Sequence, residues 1–203
     1  MSETAHPRVY LVDDDPEVLR STEWLLQASG FEVASFPDAA TFEAGFDPEV
    51  PGCVILDIRM PRKDGLTLFE EMQDRQWDIP VVFLTGHGDV PQAVRAMRNG
   101  AHHFLEKPYD PSQLIETVEN ALAEDTAMRE RRTARAEASR RFRELTPRQR
   151  EVACYLAGGF SAKEAARALE MSPKTVEVHR GHILKKMEVG TTVELVHLLQ
   201  LVD

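Results

Sequence analysis

The first 124 residues alternate short, uninterrupted apolar runs with longer segments whose apolar residues recur at helical spacing. The apolar runs predict five strands, at residues 8–12, 31–35, 53–56, 80–84 and 103–105. Helical spacing between these runs is clearest at residues 16–29, 65–75 and 90–99. This alternation predicts an α/β doubly wound, five-stranded parallel sheet with helices on both faces. Functional sites of such sheets lie beyond the carboxyl ends of the strands.

A different pattern begins at residue 125. Residues 125–144 hold seven arginines and four acids, with no glycine or proline and little apolar content. This composition predicts a solvated helical linker that continues a helix beginning near Pro111 and is not a core element. A disordered basic tether is the alternative that composition leaves open.

From residue 145 onward the pattern is helical throughout. Patterns that typically open helices stand at Thr146-Pro147, Ser161-x-x-Glu164 and Ser172-Pro173. A fourth helix is expected at 192–202. The sequence therefore predicts a first domain at 1–124, the linker at 125–144 and an all-α four-helix domain at 145–203.

Charge is divided unevenly along the 203-residue chain, whose formal net charge is −10. Residues 1–124 carry 9 lysines and arginines against 23 acids, a net charge of −14. Residues 125–203 carry 15 against 11, a net charge of +4. Such asymmetry predicts two domains with different partners.

Two further features bear on the surroundings of the chain. Cys53 and Cys154 lie far apart in apolar runs, which predicts buried free thiols rather than a disulfide or a metal pair. No apolar run approaches the ~18 residues of a membrane span, and the start MSETAHPR lacks a signal pattern. We therefore expect a cytoplasmic protein without a membrane partner.

Polar residues end the predicted strands at one edge of the sheet. Asp13, Asp14 and Asp15 follow the first strand, Asp57 the third, Thr85 the fourth and Lys107 the fifth. Any single acid there is explained by ordinary loop solvation, but four matched strand ends favour a site. Clustered carboxylates need a cation, and Mg²⁺ prefers such oxygen ligands. The nearby lysine and hydroxyl suit a phosphoryl group, which predicts Asp57 as a nucleophile that accepts it.

The motifs "LVDDD", "ILDIRMPRKDG", "FLTGHGD" and "GAHHFLEKP" occur in the order found in CheY-like receiver domains of two-component response regulators, and residues 7–124 resemble that family. The resemblance implies that Asp57 is the phosphoacceptor and that Asp13, Asp14, Asp57 and the backbone carbonyl of Arg59 hold Mg²⁺. It further implies that Thr85 and Lys107 bind phosphoryl oxygens and that Thr85 and Phe104 act as switch residues.

Two positions depart from the receiver pattern. Arg62 stands where glycine is common, and His102-His103 replaces a small-acidic pair. The Arg62 departure is expected to affect the conformation of its loop. The His102-His103 departure is expected to affect the surface through which the domain passes its signal on. A metal cluster of these histidines with His87 is disfavoured, because no ligand spacing recurs.

Two short helices within residues 161–187 form a helix-turn-helix pattern, and the second is rich in cations. A solvated helix of a four-helix bundle is the simple alternative, but few acids accompany the cations, which favours attraction to phosphates. The residues from "LTPRQREV" to "SPKTVEVHRGHILKKM" resemble LuxR/NarL-type DNA-binding domains, and the whole chain resembles the FixJ-like branch of response regulators.

That resemblance implies that residues 172–187 are the recognition helix in the major groove. Base edges would be faced by Glu177, Val178 and Gly181. Phosphates or adjacent bases would be contacted by Lys163, Lys174, Thr175, His179, Arg180 and Lys185. Ala162 replaces a common asparagine, so one backbone contact to DNA is expected to be missing, and the final helix is expected to carry DNA-domain dimer contacts.

The predicted helix near residues 89–99 carries Val90, Val94 and Arg98 at i, i+4 and i+8, so they share one stripe. This stripe is predicted to form a switch dimer interface, with Ala93, Ala96 and Met97 on the core side. A surface stripe without a partner is the alternative.

The favoured function is a phosphorylation-activated transcriptional regulator. Its expected partners are a sensor histidine kinase, double-stranded promoter DNA, RNA polymerase and a second copy of the chain. Apart from Mg²⁺-dependent self-phosphorylation and slow autodephosphorylation, no enzymatic activity is expected. A helical tail that binds protein or RNA is the second hypothesis. A Mg²⁺-dependent phosphatase fits poorly, because Arg59 occupies the place of a second catalytic aspartate.

Overall fold

A computed structural model describes residues 6–86 and 90–202, except for the side chains of residues 90, 91 and 93. The chain divides into two compact units, 1–128 and 129–203, so the division falls inside the predicted linker. No helix within the described ranges is long and apolar enough to cross a membrane.

The first unit is an α/β sandwich. Its elements are β1 (Arg8–Val12), α1 (Pro16–Ala28), β2 (Glu32–Phe36), α2 (Ala39–Gly45), β3 (Gly52–Asp57), α3 (Gly65–Asp74), β4 (Val81–Thr85), α4 (Val90–Arg98), β5 (His103–Glu106) and α5 (Pro111–Arg143). The last helix, α5, continues into the second unit. The strands form one parallel sheet in the order β2-β1-β3-β4-β5. The predicted doubly wound fold is therefore confirmed.

Strand register brings the carboxyl ends of β1, β3 and β4 to one edge. Val12 pairs with Leu56, so Asp13 follows beside Asp57, and Asp57 itself pairs with Leu84. Every residue of β3 is buried. Because side chains alternate across a strand, Val54 and Leu56 pack on one face of the sheet and Cys53 and Ile55 on the other.

Element bounds differ from the predicted ones mostly by one residue. The fourth strand begins at Val81, after Pro80, which has no backbone N–H to donate. α2 was not predicted from the spacing because it is only seven residues long; Asp38 caps it by accepting from Thr41 N at 2.8 Å, and Phe42 is buried.

Residues 145–202 contain four helices, as predicted, and the second unit also includes the last part of α5. They are α6 (Pro147–Ala157), α7 (Ala162–Ala168), α8 (Pro173–Met187) and α9 (Thr192–Leu199). The predicted caps Thr146, Ser161 and Ser172 all accept from backbone N–H groups. The prediction that Cys154 is buried is wrong. The buried stripe of α6 contains Val152, Ala153 and Leu156, and Cys154 lies off it.

The segment at 125–144 is helical up to Arg143, continuous with α5. Some residues near each end of this segment are buried. The buried carboxylate of Asp125 accepts from Gly52 N at 2.9 Å, which anchors it in the first unit. Ala138 is fully buried, and Phe142 packs against the core of the second unit. The prediction that this segment is no core element is therefore wrong for these residues.

Candidate functional site

Two buried carboxylates converge on one ammonium group at the sheet edge. Nζ of Lys107 lies 2.5 Å from Oδ2 of Asp13 and 2.5 Å from Oδ1 of Asp57. Asp13 is 1% exposed and Asp57 is 7% exposed. The ammonium group partly offsets the mutual repulsion of the two carboxylates in this poorly solvated place.

The backbone fixes the remaining oxygen of each carboxylate. Oδ1 of Asp13 accepts from Asp15 N at 2.9 Å, and Asp15 in turn caps α1. Oδ2 of Asp57 accepts from Arg59 N at 2.6 Å. Lys107 is held by its own backbone, because its N–H donates to the carbonyl oxygen of Thr85 at 2.7 Å. The three side chains are therefore placed by strand ends.

Burial and pairing shift the pKa values of this cluster. Burial raises the pKa of Asp57, against the pull of the Lys107 ammonium. Burial alone would lower the pKa of Lys107, but its hydrogen bonds to Asp13 and Asp57 outweigh burial and raise it. Lys107 thus stays charged beside the two carboxylates.

The other predicted receiver residues surround this cluster. Thr85 is buried at the end of β4, and Asp14 and Arg59 are exposed at the rim of the site. Phe104, on β5, is half-buried and packs against the hydrophobic core on one face of the sheet. The structure therefore places Asp13, Asp57 and Lys107 in direct contact, with the remaining residues on adjoining strand ends and loops.

The donor set at this edge fits Mg²⁺. No group of three or more His, Cys, Asp and Glu side chains among the described residues stands ready to hold a metal. However, the buried Asp13 and Asp57 already converge on a cation, the Lys107 ammonium. Mg²⁺ keeps several waters and needs few protein oxygens, so two carboxylates, Asp14 at the rim and the Arg59 carbonyl suffice.

The departures from the receiver pattern have local explanations. Arg62 adopts φ +69°, the left-handed conformation that glycine favours, so the loop keeps a glycine-like conformation at a cost in backbone strain. Its guanidinium pairs with Asp38 at 2.5 Å. His102 pairs with Glu124 on α5, and the half-buried His103 ring lies 6.0 Å from Phe104. His87 lies outside the described residues.

The predicted dimer stripe is in part visible on α4. Val94 is 43% exposed and Arg98 is exposed, whereas the side chain of Val90 is outside the described part. Ala96 is buried as predicted. The prediction that Met97 faces the core is wrong, because it is 37% exposed. It lies one residue past Ala96, about 100° further around the helix.

The proposed recognition helix exposes one polar face. Val176, Ile183 and Met187 are buried. The predicted DNA contacts that are exposed are Lys174, Thr175, Glu177, Val178, Gly181 and Lys185 on α8 and Lys163 on α7. His179 and Arg180 are half-buried. Two of their buried atoms, His179 Nδ1 and Arg180 Nε, have no hydrogen-bond partner in the described structure.

Two of the proposed DNA contacts, Arg180 and Glu177, form an ion pair with each other. Arg180 Nη1 lies 2.9 Å from Oε2 of Glu177. Lys186, by contrast, is occupied within the domain, since Nζ donates to the Glu144 carbonyl and to Gln149 Oε1, each at 3.0 Å.

Sequence patterns missed an exposed aromatic residue near the acidic edge. Trp24 on α1 is 72% exposed. It borders a groove of about 610 Å³ that Leu25, Tyr109 and Pro111 also line. The hydroxyl of Tyr109 lies 2.6 Å from that of Thr22 and joins the β5–α5 loop to α1. An exposed tryptophan at a helical position was the signal available in the sequence.

Comparison with known families accounts for both units. Residues 9–119 match the response regulator receiver domain, and residues 143–199 match the bacterial regulatory proteins of the luxR family. The chain therefore belongs to the response regulators that join a receiver domain to a LuxR-type DNA-binding domain. This composition makes it a two-component transcriptional regulator.

Relatives match over nearly the full length. The chain is 37% identical over 195 residues to the transcriptional regulatory protein FixJ of Bradyrhizobium diazoefficiens, covering 96% of this chain and 95% of that protein. It is 38% identical over 188 residues to the tetrathionate response regulatory protein TtrR of Salmonella typhimurium, covering 93% and 89%. The structure of the response regulator StyR matches with a TM-score of 0.81 at 38% identity, covering 97% of this chain and 99% of that one.

Receiver domains of this kind generally bind Mg²⁺ at their acidic site and imply a histidine kinase as partner. The LuxR-type domain implies DNA binding.

Proposed function

We propose that Asp57 accepts a phosphoryl group from a sensor histidine kinase and that the modified protein dimerises and binds promoter DNA. The observation that carries this proposal is the convergence of Asp13 and Asp57 on Lys107 at the sheet edge. In the transfer, a carboxylate oxygen of Asp57 forms the new O–P bond as the P–N bond to the kinase histidine breaks. The electron pair of the broken bond stays on the histidine nitrogen.

The neighbouring side chains stabilise the charge that moves. The Lys107 ammonium, now shared by two carboxylates, turns to the phosphoryl oxygens, and the Thr85 hydroxyl donates to another oxygen. Mg²⁺ held by Asp13, Asp14, Asp57 and the Arg59 carbonyl supplies further neutralisation when it is bound. Hydrolysis by water restores the Asp57 carboxylate slowly, so the protein transfers a signal and turns over no separate substrate.

The groove beside Trp24 suits the kinase. Its lining residues lie on α1, which directly follows Asp15, and in the segment after β5 that begins with Lys107. An exposed tryptophan provides large apolar contact area at low entropic cost. We propose this groove as the surface on which the kinase docks.

Phosphorylation increases the affinity for DNA by promoting dimerisation. Movement of Thr85 toward the phosphoryl group frees space for Phe104 to turn and changes the face near Val94 and Arg98. Two linked DNA-binding domains then engage half-sites about one helical turn, ~10 bp, apart. Glu177, Val178 and Gly181 face base edges, cations such as Lys174 hold phosphates, and the bound dimer contacts RNA polymerase.

Labelling with radioactive acetyl phosphate tests the phosphoacceptor. The wild-type chain is expected to be labelled only with Mg²⁺, and Asp57→Asn is expected to carry no label. Asp14→Asn serves as the metal-site variant and is expected to need more Mg²⁺ for the same labelling. Full labelling of Asp57→Asn, or labelling unaffected by EDTA, would contradict the assignment.

A further inference from the structure

Two cationic side chains join the C-terminal ends of α5 and α8. Nη1 of Arg141, on α5, donates to the carbonyl oxygen of Met187, the last residue of α8, at 3.1 Å. Nζ of Lys186, on α8, donates to the carbonyl oxygen of Glu144, which directly follows α5, at 3.0 Å. Each helix thus receives a cation from the other at its C-terminal end.

Helix ends explain why these bonds stabilise the arrangement. The last four carbonyl groups of a helix have no partner within it, and the C-terminal end of a helix attracts positive charge. α8 stops at Met187 because Glu188 has φ +55°, in the left-handed region. Arg141 satisfies a carbonyl oxygen that this termination leaves open.

Arg141 is itself held firmly. Its Nε donates to Oε1 of Glu137 at 2.7 Å, and its Nη2 lies 2.7 Å from Oε2 of Glu188. The side chain is only 21% exposed. With acids on both sides of its guanidinium, Arg141 has its donors directed into the domain rather than toward a ligand.

Lys186 is fixed in a similar way. Besides the Glu144 carbonyl, its ammonium donates to Oε1 of Gln149 at 3.0 Å. Gln149 is buried and belongs to the capping box of α6. The end of α8 is therefore tied to α5 and α6 together.

These contacts assign a role to the end of the predicted linker. We propose that Arg141 and Lys186 are positioning residues for DNA recognition. They hold the C-terminal end of α8 against α5, so that the base-facing residues of α8 keep one orientation. The last turns of α5, from Glu137 onward, then belong to the DNA-binding element. This inference rests on the proposed contact of α8 with DNA.

The adjacent Arg140 provides a matched control. Its guanidinium pairs with Glu137 and Glu144, each at 2.7 Å, within the same short segment of chain. Arg140 is also 55% exposed, whereas Arg141 is 21% exposed. Removing either arginine changes the net charge equally, but only Arg141 bonds to the end of α8.

The experiment uses the full chain treated with beryllofluoride. The wild-type protein first selects a duplex from a random-sequence library, and affinities for this duplex and for a scrambled one are measured by fluorescence anisotropy. Arg141→Met is expected to bind the selected duplex about tenfold more weakly, because its two contacts with the end of α8, to the Met187 carbonyl and to Glu188, are lost. Its affinity for the scrambled duplex and its salt dependence should match those of Arg140→Met.

Several results would overturn the inference. If Arg141→Met and wild type have the same ratio of affinities for the selected and the scrambled duplex, the contacts do not orient α8. Equal weakening on both duplexes, with a salt slope lower by about one, would make Arg141 a direct phosphate contact. Failure of the wild type to bind any duplex would overturn the proposed function first.

Circular dichroism at the assay temperature establishes that the variants are folded. If Arg141→Met is unfolded there, Arg141→Lys and Lys186→Gln take its place. The lysine keeps the charge but lacks the planar fork that reaches Met187 and Glu188 together. The inference is supported if both variants have a smaller ratio of affinities for the selected and the scrambled duplex than the wild type. It is contradicted if this ratio equals the wild-type ratio in both variants.

Discussion

Lys107 and the lysines of α8 carry the same charge, but Lys107 is paired with buried carboxylates, whereas the α8 lysines are exposed. Lys107 is shared by two buried carboxylates at the carboxyl edge of the sheet. Lys174 and Lys185 lie exposed on a helix surface. The first arrangement is complete before any ligand arrives, because strand register creates it. The second arrangement gains its energy only when a polyanion is present. Variants of the first should therefore affect chemistry sharply, and variants of the second should affect affinity in small steps.

The largest expected effect comes from Lys107→Met. This change removes the only cation that bonds to both Asp13 and Asp57 in the described structure. Acetyl-phosphate labelling of Asp57 should slow by about 10²-fold, the usual cost of losing a preorganised charge at a developing anion. Rapid-quench labelling at saturating Mg²⁺ measures it.

Lys63→Met is the matched control for this prediction. Lys63 also bridges two carboxylates, Glu43 at 3.1 Å and Glu71 at 2.7 Å, but both lie on α2 and α3 rather than at the site. Its labelling rate should stay within twofold of wild type. A similar loss in both variants would attribute the effect to general disruption of the fold.

The dimer stripe should give the next largest effect. Val94→Asp places a charge on an exposed apolar position of α4, and the dissociation constant of the phosphorylated dimer should rise at least ~10-fold. Sedimentation of the beryllofluoride-treated protein measures this. Val178→Asp, at a similarly exposed valine on α8, should leave dimerisation unchanged. An unchanged dimer in Val94→Asp would refute the interface.

Substitutions on the recognition helix α8 should change DNA affinity by smaller amounts, and in ways that differ between base-facing and phosphate-facing residues. Lys174→Ala is expected to weaken binding to all duplexes alike and to lower the salt slope by about one, since it removes a phosphate contact. Glu177→Ala should relax preference at one base position, at a cost of about 1–3 kcal/mol on the selected duplex. Quantitative gel shifts on point-substituted duplexes separate the two. Identical behaviour of both variants would contradict their assigned roles.

The smallest effect concerns acid stability. Hydrogen bonds from Arg140 and Arg141 lower the pKa of Glu137 to about 2. Because the folded-state pKa lies below the unfolded value, this pairing stabilises the fold above about pH 4.5 and is lost as the pH falls toward 2. The stability difference between wild type and Glu137→Gln should shrink across this window. It should also shrink in high salt, because the Glu137 side chain is 38% exposed and its ion pairs are screened by salt. A difference that is constant with pH would contradict the pairing.

Much of the receiver site was predictable because the carboxyl ends of parallel strands lie at one edge of the sheet, whatever the separation of the strands in sequence. A buried strand that ends in Asp57 and another that ends in Asp13 must meet at one edge of a parallel sheet. The bridging position of Lys107 was not predictable, since it depends on contacts 94 and 50 residues apart.

Helix faces were predicted less well. Cys154 and Met97 were placed in the core on the basis of apolar character, but each lies just outside a narrow buried stripe. The contact between Arg141 and Met187 joins residues 46 apart in sequence, and no periodicity indicates it. For that reason the end of α5 resembled a free linker in its composition.

In the proposed function, phosphorylation of Asp57 controls the affinity of the chain for DNA. The most direct test measures the affinity of the full chain for its selected duplex, with and without beryllofluoride, for wild type and Asp57→Asn. We expect tight binding only for treated wild type, at least ~10-fold above the other three samples. Equal affinity of treated and untreated wild type, or an equal gain in Asp57→Asn, would contradict the claim.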